Sequence, residues 1–155
     1  MVFAQGESQI LKVPIDGGEP VKLIGNAFLI GPVISPDGKL IACWRASTDV
    51  SLALMTLVIF PFEGGQFVKT LEIPPTTNTS VAPCWASDDG SLLYIDTRHG
   101  VSNIWSQPLD GGPPKQLTNF MSDLIFSFGW SRDGKQLACA RGSVTNDVIL
   151  ISNFR

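Results

Sequence analysis

A fixed spacing constrains this chain more than any other feature. Pro14-Ile15-Asp16-Gly17-Gly18 recurs as Pro61-Phe62-Glu63-Gly64-Gly65 and again as Pro108-Leu109-Asp110-Gly111-Gly112, 47 residues apart each time. Self-similarity at one period marks a chain built from copies of a single supersecondary unit. A second marker interleaves with the first: Ser35-Pro36-Asp37-Gly38, Ser87-Asp88-Asp89-Gly90 and Ser131-Arg132-Asp133-Gly134. Each Asp-Gly lies between short apolar runs, the signature of a β-hairpin whose glycine takes positive φ. Two tight turns per unit imply four antiparallel strands, and a four-stranded unit of about 45 residues has the size of a β-propeller blade.

The expected fold is therefore all-β: a partial propeller of four-stranded antiparallel blades, about three and a half of them. With strands named A to D outward from the axis, residues 1–30 supply strands B, C and D of an incomplete blade at Val2–Gln5, Gln9–Ile15 and Val21–Ile24. Residues 31–78 form a blade with strands near Pro32–Ser35, Leu40–Arg45, Leu52–Phe62 and Phe67–Ile73. Residues 79–123 form another, at Val81–Ala86, Leu92–Thr97, Asn103–Leu109 and Lys115–Thr118. The last blade, 124–155, has strands A to C near Ile125–Ser131, Gln136–Arg141 and Asp147–Asn153. Trp130 stands three residues before Asp133 but Trp85 stands four before Asp89, which predicts either a bulge in the second of these inner strands or a turn one residue longer. Such a set is an open arc unless association completes it. The isolated chain is expected to self-associate through its apolar ends.

Composition fits this reading. Of 155 residues 44% are apolar and 16% charged, enough to bury a core. The apolar run Leu52–Phe62 is about half the roughly 20 residues a membrane helix needs, so direct membrane insertion is not expected. It suits a mid-blade strand covered on both faces, where strict alternation is lost. A net charge of −3 argues against nucleic acid as a partner. The first residues lack the basic start and sustained apolar stretch of a secretory signal. Cys43, Cys84 and Cys139 form no CxxC and lie in apolar runs, so they read as small core residues. Trp44, Trp85, Trp105 and Trp130 fall in predicted strands and are expected to pack between blades.

Several stretches resemble TolB-type, WD40-like propeller repeats. Pro83-Cys84-Trp85 before Ser87-Asp88-Asp89-Gly90, and Phe128-Gly129-Trp130-Ser131-Arg132-Asp133-Gly134, are similar to the family's PxWSPDGK signature. Asp96-Thr97-Arg98-His99-Gly100 with Asn103-Ile104-Trp105 resembles its SDRDGxxNIW segment, and Asp-Gly-Gly followed by Lys115-Gln116-Leu117-Thr118 its DGGxPxxLT ending. The resemblance covers essentially the whole chain. It implies a non-catalytic module for protein interaction or ligand sensing, the C-terminal part of a larger multidomain protein. The closing Val148–Arg155 looks most like the propellers at the end of bacterial membrane-anchored Ser/Thr protein kinases. Two alternatives follow from the same resemblance: a propeller that gates or supports a prolyl-oligopeptidase-like hydrolase or kinase domain, and a TolB-like scaffold. A periplasmic or extracytoplasmic location is implied by the family alone. Fold analogy does not transfer function.

No residues announce catalysis, a cofactor or a metal site. The chain has no G-x-S-x-G elbow, Walker A loop, G-x-G-x-x-G, H-E-x-x-H or kinase signature. His99, the sole histidine, sits in a turn without a nucleophile motif beside it. Asp16, Glu63, Asp88, Asp89 and Asp110 are turn acids expected to cap amides rather than form an acid/base pair. Asn78-Thr79-Ser80 fits a glycosylation sequon, a short match of low information. Topology places the A–B and C–D turns on one face, and the B–C and D–A connections on the other. The second face should carry the longer loops Arg45–Ser51, Thr97–Ser102 and Arg141–Asn146, with Gly25–Leu29, Pro74–Ser80 and Asn119–Asp123. Loops on a rigid scaffold are the usual place for recognition. Arg45, Arg98 and Arg141 come from three B–C regions and are candidates for a basic arc that attracts carboxylates or an acidic peptide. Asp49, His99, Asn103 and Asn146 complete the candidate face for a protein or peptide partner. The alternative for the arginines is isolated surface charge with local acid partners.

Overall fold

The computed structural model describes residues 2–5, 9–25, 27–47, 55–88, 90–131 and 133–147, the first segment by its backbone alone. Every regular element among them is a strand, and no described helix is long and apolar enough to cross a membrane. Among the described residues thirteen strands form four antiparallel sheets in chain order. The first sheet is β1 (Val2–Gln5), β2 (Gln9–Lys12) and β3 (Val21–Gly25). The second is β4 (Leu29–Ile34), β5 (Leu40–Ala46), β6 (Met55–Pro61) and β7 (Lys69–Glu72). The third runs β8 (Cys84–Trp85), β9 (Ser91–Arg98), β10 (Val101–Pro108) and β11 (Lys115–Gln116). The fourth pairs β12 (Leu124–Trp130) with β13 (Leu137–Gly142). The strand expected near Asp147–Asn153 lies outside the described residues apart from Asp147. These sheets are the blades of a partial β-propeller.

Alternation along the central strands explains why they are apolar throughout. On β5, Ile41 and Cys43 enter the core shared with the first sheet, while Ala42 and Trp44 enter the core shared with the third. On β6, Val58 and Phe60 face one way and Leu57 and Ile59 the other. On β9, Leu92 and Tyr94 pack against the second sheet, Leu93 and Ile95 against the fourth. Each such side chain taken fully from water contributes about 1.5–3 kcal/mol, so cover on both faces holds the blades together. Two indoles add cross-sheet hydrogen bonds: Trp44 Nε1 donates to the Val81 carbonyl at 2.8 Å, and Trp85 Nε1 to the Val33 carbonyl at 3.1 Å. Trp105 packs against the second-to-third-sheet core and Trp130 against the third-to-fourth. All three cysteines are free thiols, and burial pushes Cys43 up to about 12.

Three local expectations need correction. The strand through Trp85 pairs with β9 without a register shift, and the turn after it is not a residue longer. Ala86 N–H donates to the Ser91 carbonyl, as Ser35 does to Leu40 and Ser131 to Gln136, so all three turns have equal length. The motif itself has slipped by one position. Asp88 takes the place of Asp37 and Asp133, each accepting an amide two residues on. Ala86 stands where Ser35 and Ser131 donate their hydroxyls to those aspartates. The inner strand of the third sheet is also shorter than expected. Only Cys84–Trp85 pairs as a strand, with Thr77 bridging to Asp96 higher up. Between them Pro83 has no N–H to give, and the Val81 carbonyl is taken by Trp44. Finally, Glu63 caps no turn amide among the described residues; its carboxylate pairs with Lys12 of β2 at 2.9 Å. Asp110 does cap, accepting from Gly112 at 2.8 Å. The Pro61–Gly65 turn lies against the preceding sheet so closely that a Cβ on Gly64 would stand 2.7 Å from the Leu23 carbonyl oxygen.

Candidate functional site

Strands β9 and β10 are the longest pair, in register from Ser91↔Pro108 to Arg98↔Val101. The connection between them, expected as a long loop, is a two-residue turn. His99 and Gly100 both have positive φ, 51° and 78°, the geometry of a type I′ turn whose twist matches its strands. Residues opposite one another in an antiparallel pair share a face, as do alternate residues along each strand. Tyr94, Asp96, Arg98, Val101, Asn103 and Trp105 therefore lie on one side of this hairpin.

Asp96 forms the floor, with its side chain wholly buried. Its Oδ2 accepts from Arg98 Nε at 2.7 Å, while its Oδ1 has no hydrogen-bond partner among the described residues. The Arg98 guanidinium stacks on the Trp105 ring at 4.6 Å, and its side chain is 52% exposed. Burial and the neighbouring Asp96 carboxylate push the Tyr94 phenol up to about 12. Asn103 is committed to the scaffold. Its Oδ1 accepts from Phe120 N–H at 2.7 Å and from the Thr118 hydroxyl at 3.0 Å, and its Nδ2 donates to the Phe120 carbonyl. These bonds fix the connection between β11 and β12, so that Phe120 and the exposed Met121 form the far wall. The cleft is open to solvent and measures about 220 Å³, with Gln116 and His99 on its lining. That is below the roughly 300 Å³ minimum of drug-sized sites and suits a single side chain.

The three arginines do not occupy equivalent places. Counted from the three turns, Arg45, Asp96 and Arg141 share a register, and Arg98 stands two residues further along β9. Arg45 lies 5.2 Å from the Phe67 ring. Arg141 lies 3.6 Å from Phe120, donates to the Ser122 carbonyl at 2.7 Å and stands 3.7 Å from the Asp123 carboxylate. Asn146 is exposed beyond β13, and Asp49 lies outside the described residues. Among the described residues no three His, Cys, Asp or Glu side chains are grouped to hold a metal ion. Sequence reasoning missed Asp96, Trp105, Phe120 and Met121 as parts of one site. Asp96 and Arg98 were findable from strand alternation. The contribution of Phe120 and Met121 depends on the Asn103 clamp.

No known family model matches the chain. It is 31% identical over 104 residues to Tricorn protease homolog 1 of Streptomyces coelicolor, a match covering 66% of this chain and 9% of that protein. Among solved structures it is similar to a protein described as a TolB from Agrobacterium tumefaciens. There the TM-score is 0.65 at 22% identity, over 87% of this chain and 47% of the other. It also resembles a prolyl endopeptidase structure, with a TM-score of 0.58 at 16% identity over 88% of this chain and 23% of the other. The chain thus spans less than half the length of each relative, and these likenesses establish the fold.

Proposed function

We propose that this chain is a non-catalytic binding module, within a larger multidomain protein, that recognises a protein or peptide through the face carrying its B–C and D–A connections. The observation that carries this reading is the cleft on the third blade. There an exposed guanidinium, held from below by a buried carboxylate, stands beside Phe120 and Met121. Such a site pairs an apolar wall with a few placed polar groups, as binding sites do. Peptides selected on the folded chain from a random library test it. Their binding should perturb amide resonances at residues 98–103 and 119–123. Perturbation confined to the opposite turns, near residues 36–39 and 133–135, would overturn the reading.

A second reading, a propeller that gates or supports a catalytic domain, is favoured by the 31% identity to a protein named as a protease homolog. The kinase association rests on residues 148–155, which lie outside the described residues, and a TolB-like scaffold draws on the repeat motifs and the fold likeness. The open reading frame around this sequence separates them. A hydrolase domain encoded in frame supports the gate, and a kinase domain with a membrane helix supports the sensor.

A further inference from the structure

We infer that the Arg98 cleft takes the carboxylate of an acidic side chain, Asp or Glu, from a peptide segment whose neighbouring residue is apolar. The inference deepens the binding-module reading and rests on it. Arg141 spends its guanidinium on the Ser122 carbonyl and the Phe120 ring, and Arg45 lies along Phe67. Arg98 is held differently. Its Nε is fixed to Asp96 and its flat face to Trp105, while its two Nη groups make no hydrogen bond among the described residues. A guanidinium immobilised in this way offers a donor edge that matches a carboxylate in two parallel hydrogen bonds. Its side-chain order is already established before a ligand arrives, which lowers the entropic cost of binding.

The rest of the lining selects the ligand. Asp96 is the one acid among the described residues lining the cleft, and it lies buried beneath the guanidinium, inaccessible to an incoming cation. Val101, Phe120 and the 83% exposed Met121 present apolar surface to the residue beside the acid. The volume of about 220 Å³ admits one side chain. The guanidinium edge matches a carboxylate in two parallel hydrogen bonds, and the described lining holds no second Lys or Arg to balance a dianionic phosphate.

The test is a titration of the full chain followed through the arginine Nε–H and tryptophan indole N–H resonances. The probes are the N-acetylated, C-amidated dipeptides Leu-Glu and Leu-Gln, with sodium chloride and sodium phosphate as ionic controls. The Leu-Glu probe should shift Arg98 Nε–H and Trp105 saturably, and the Leu-Gln probe should bind at least tenfold more weakly. Arg98→Lys keeps the charge but loses the fork and the stack, so it should weaken Leu-Glu binding at least tenfold. The change in the probe leaves the protein untouched, so the result stands even if the variant folds poorly. Equal binding of both dipeptides, no saturable shift from either, or a larger response to phosphate overturns the inference. Shifts at residues 119–123 with Arg98 Nε–H unmoved would overturn it while sparing the broader binding-module reading.

Discussion

Replacing Arg98 by alanine should destabilise the fold more than replacing Asp96 by asparagine. At 2.7 Å the pair's gross attraction is about 6 kcal/mol for an effective dielectric of roughly 20. Most of that is cancelled by the cost of withdrawing Asp96 from water, and screening at the 52% exposed Arg98 reduces it further. A net coupling of about 1 kcal/mol remains. Arg98→Ala also removes the stack on Trp105, about 0.5–1 kcal/mol. It leaves a carboxylate whose Oδ1 already lacks a donor with none at Oδ2 either, for a total near 2–3 kcal/mol. Asp96→Asn keeps an oxygen to accept from Nε and should cost about 1 kcal/mol. Urea unfolding of the wild type, both single variants and the double variant gives the four corners of a cycle. Arg98→Ala within 0.3 kcal/mol of wild type, or a coupling indistinguishable from zero, would refute the claim that this pair anchors the cleft.

Other positions are equally exposed to experiment. Gly64→Ala should destabilise by about 2–4 kcal/mol, because φ is +88° and the new Cβ would meet the Leu23 carbonyl oxygen at 2.7 Å; unchanged thermal unfolding would show the first and second sheets are not so closely apposed. The Ser35 hydroxyl, then the Lys39 amide and ammonium, hold Asp37 down at about 2 against an ordinary 3.8. Its folded value is depressed, so its contribution is present above 3.8 and lost as pH falls through about 2. Stability curves of wild type and Asp37→Asn should therefore converge toward pH 2, and parallel curves would contradict the assignment. Ala140 occupies the register of fully buried Trp44 yet is exposed, as are Ala138 and Phe126 on the same fourth sheet. Light scattering should show a mass rising above the monomer with concentration, and a concentration-independent monomer would refute self-association through that sheet.

What the residues revealed and what they hid have physical causes. Leu52–Phe62 betrayed a strand covered on both sides, and β6 occupies Met55–Pro61 with Leu57 to Phe60 buried. The Asp-Gly-Gly turns were legible because few residues adopt their positive φ. The one-residue slip at Ala86–Ser91 was not, since Ser-Asp-Asp-Gly matches the motif in letters while hydrogen bonds set the frame. Thr97–Ser102 looked like a loop because histidine is an uncommon first residue of a two-residue hairpin turn. The arginines were legible as residues at or near the ends of the second strands of their sheets, β5, β9 and β13. Their side chains were not, because each direction depends on an aromatic neighbour brought by tertiary packing: Phe67, Trp105 or Phe120.

The fold depends throughout on sheets packed face to face, with the second and third joined by two indoles. Nuclear Overhauser contacts from the indole N–H groups of Trp44 and Trp85, with their exchange rates, test this most directly. The expected result is contact between Trp44 and Val81 and between Trp85 and Val33, with both indole protons exchanging slowly. Rapid exchange of both, without contacts to the facing sheet, would contradict the packing on which the fold and the cleft rely.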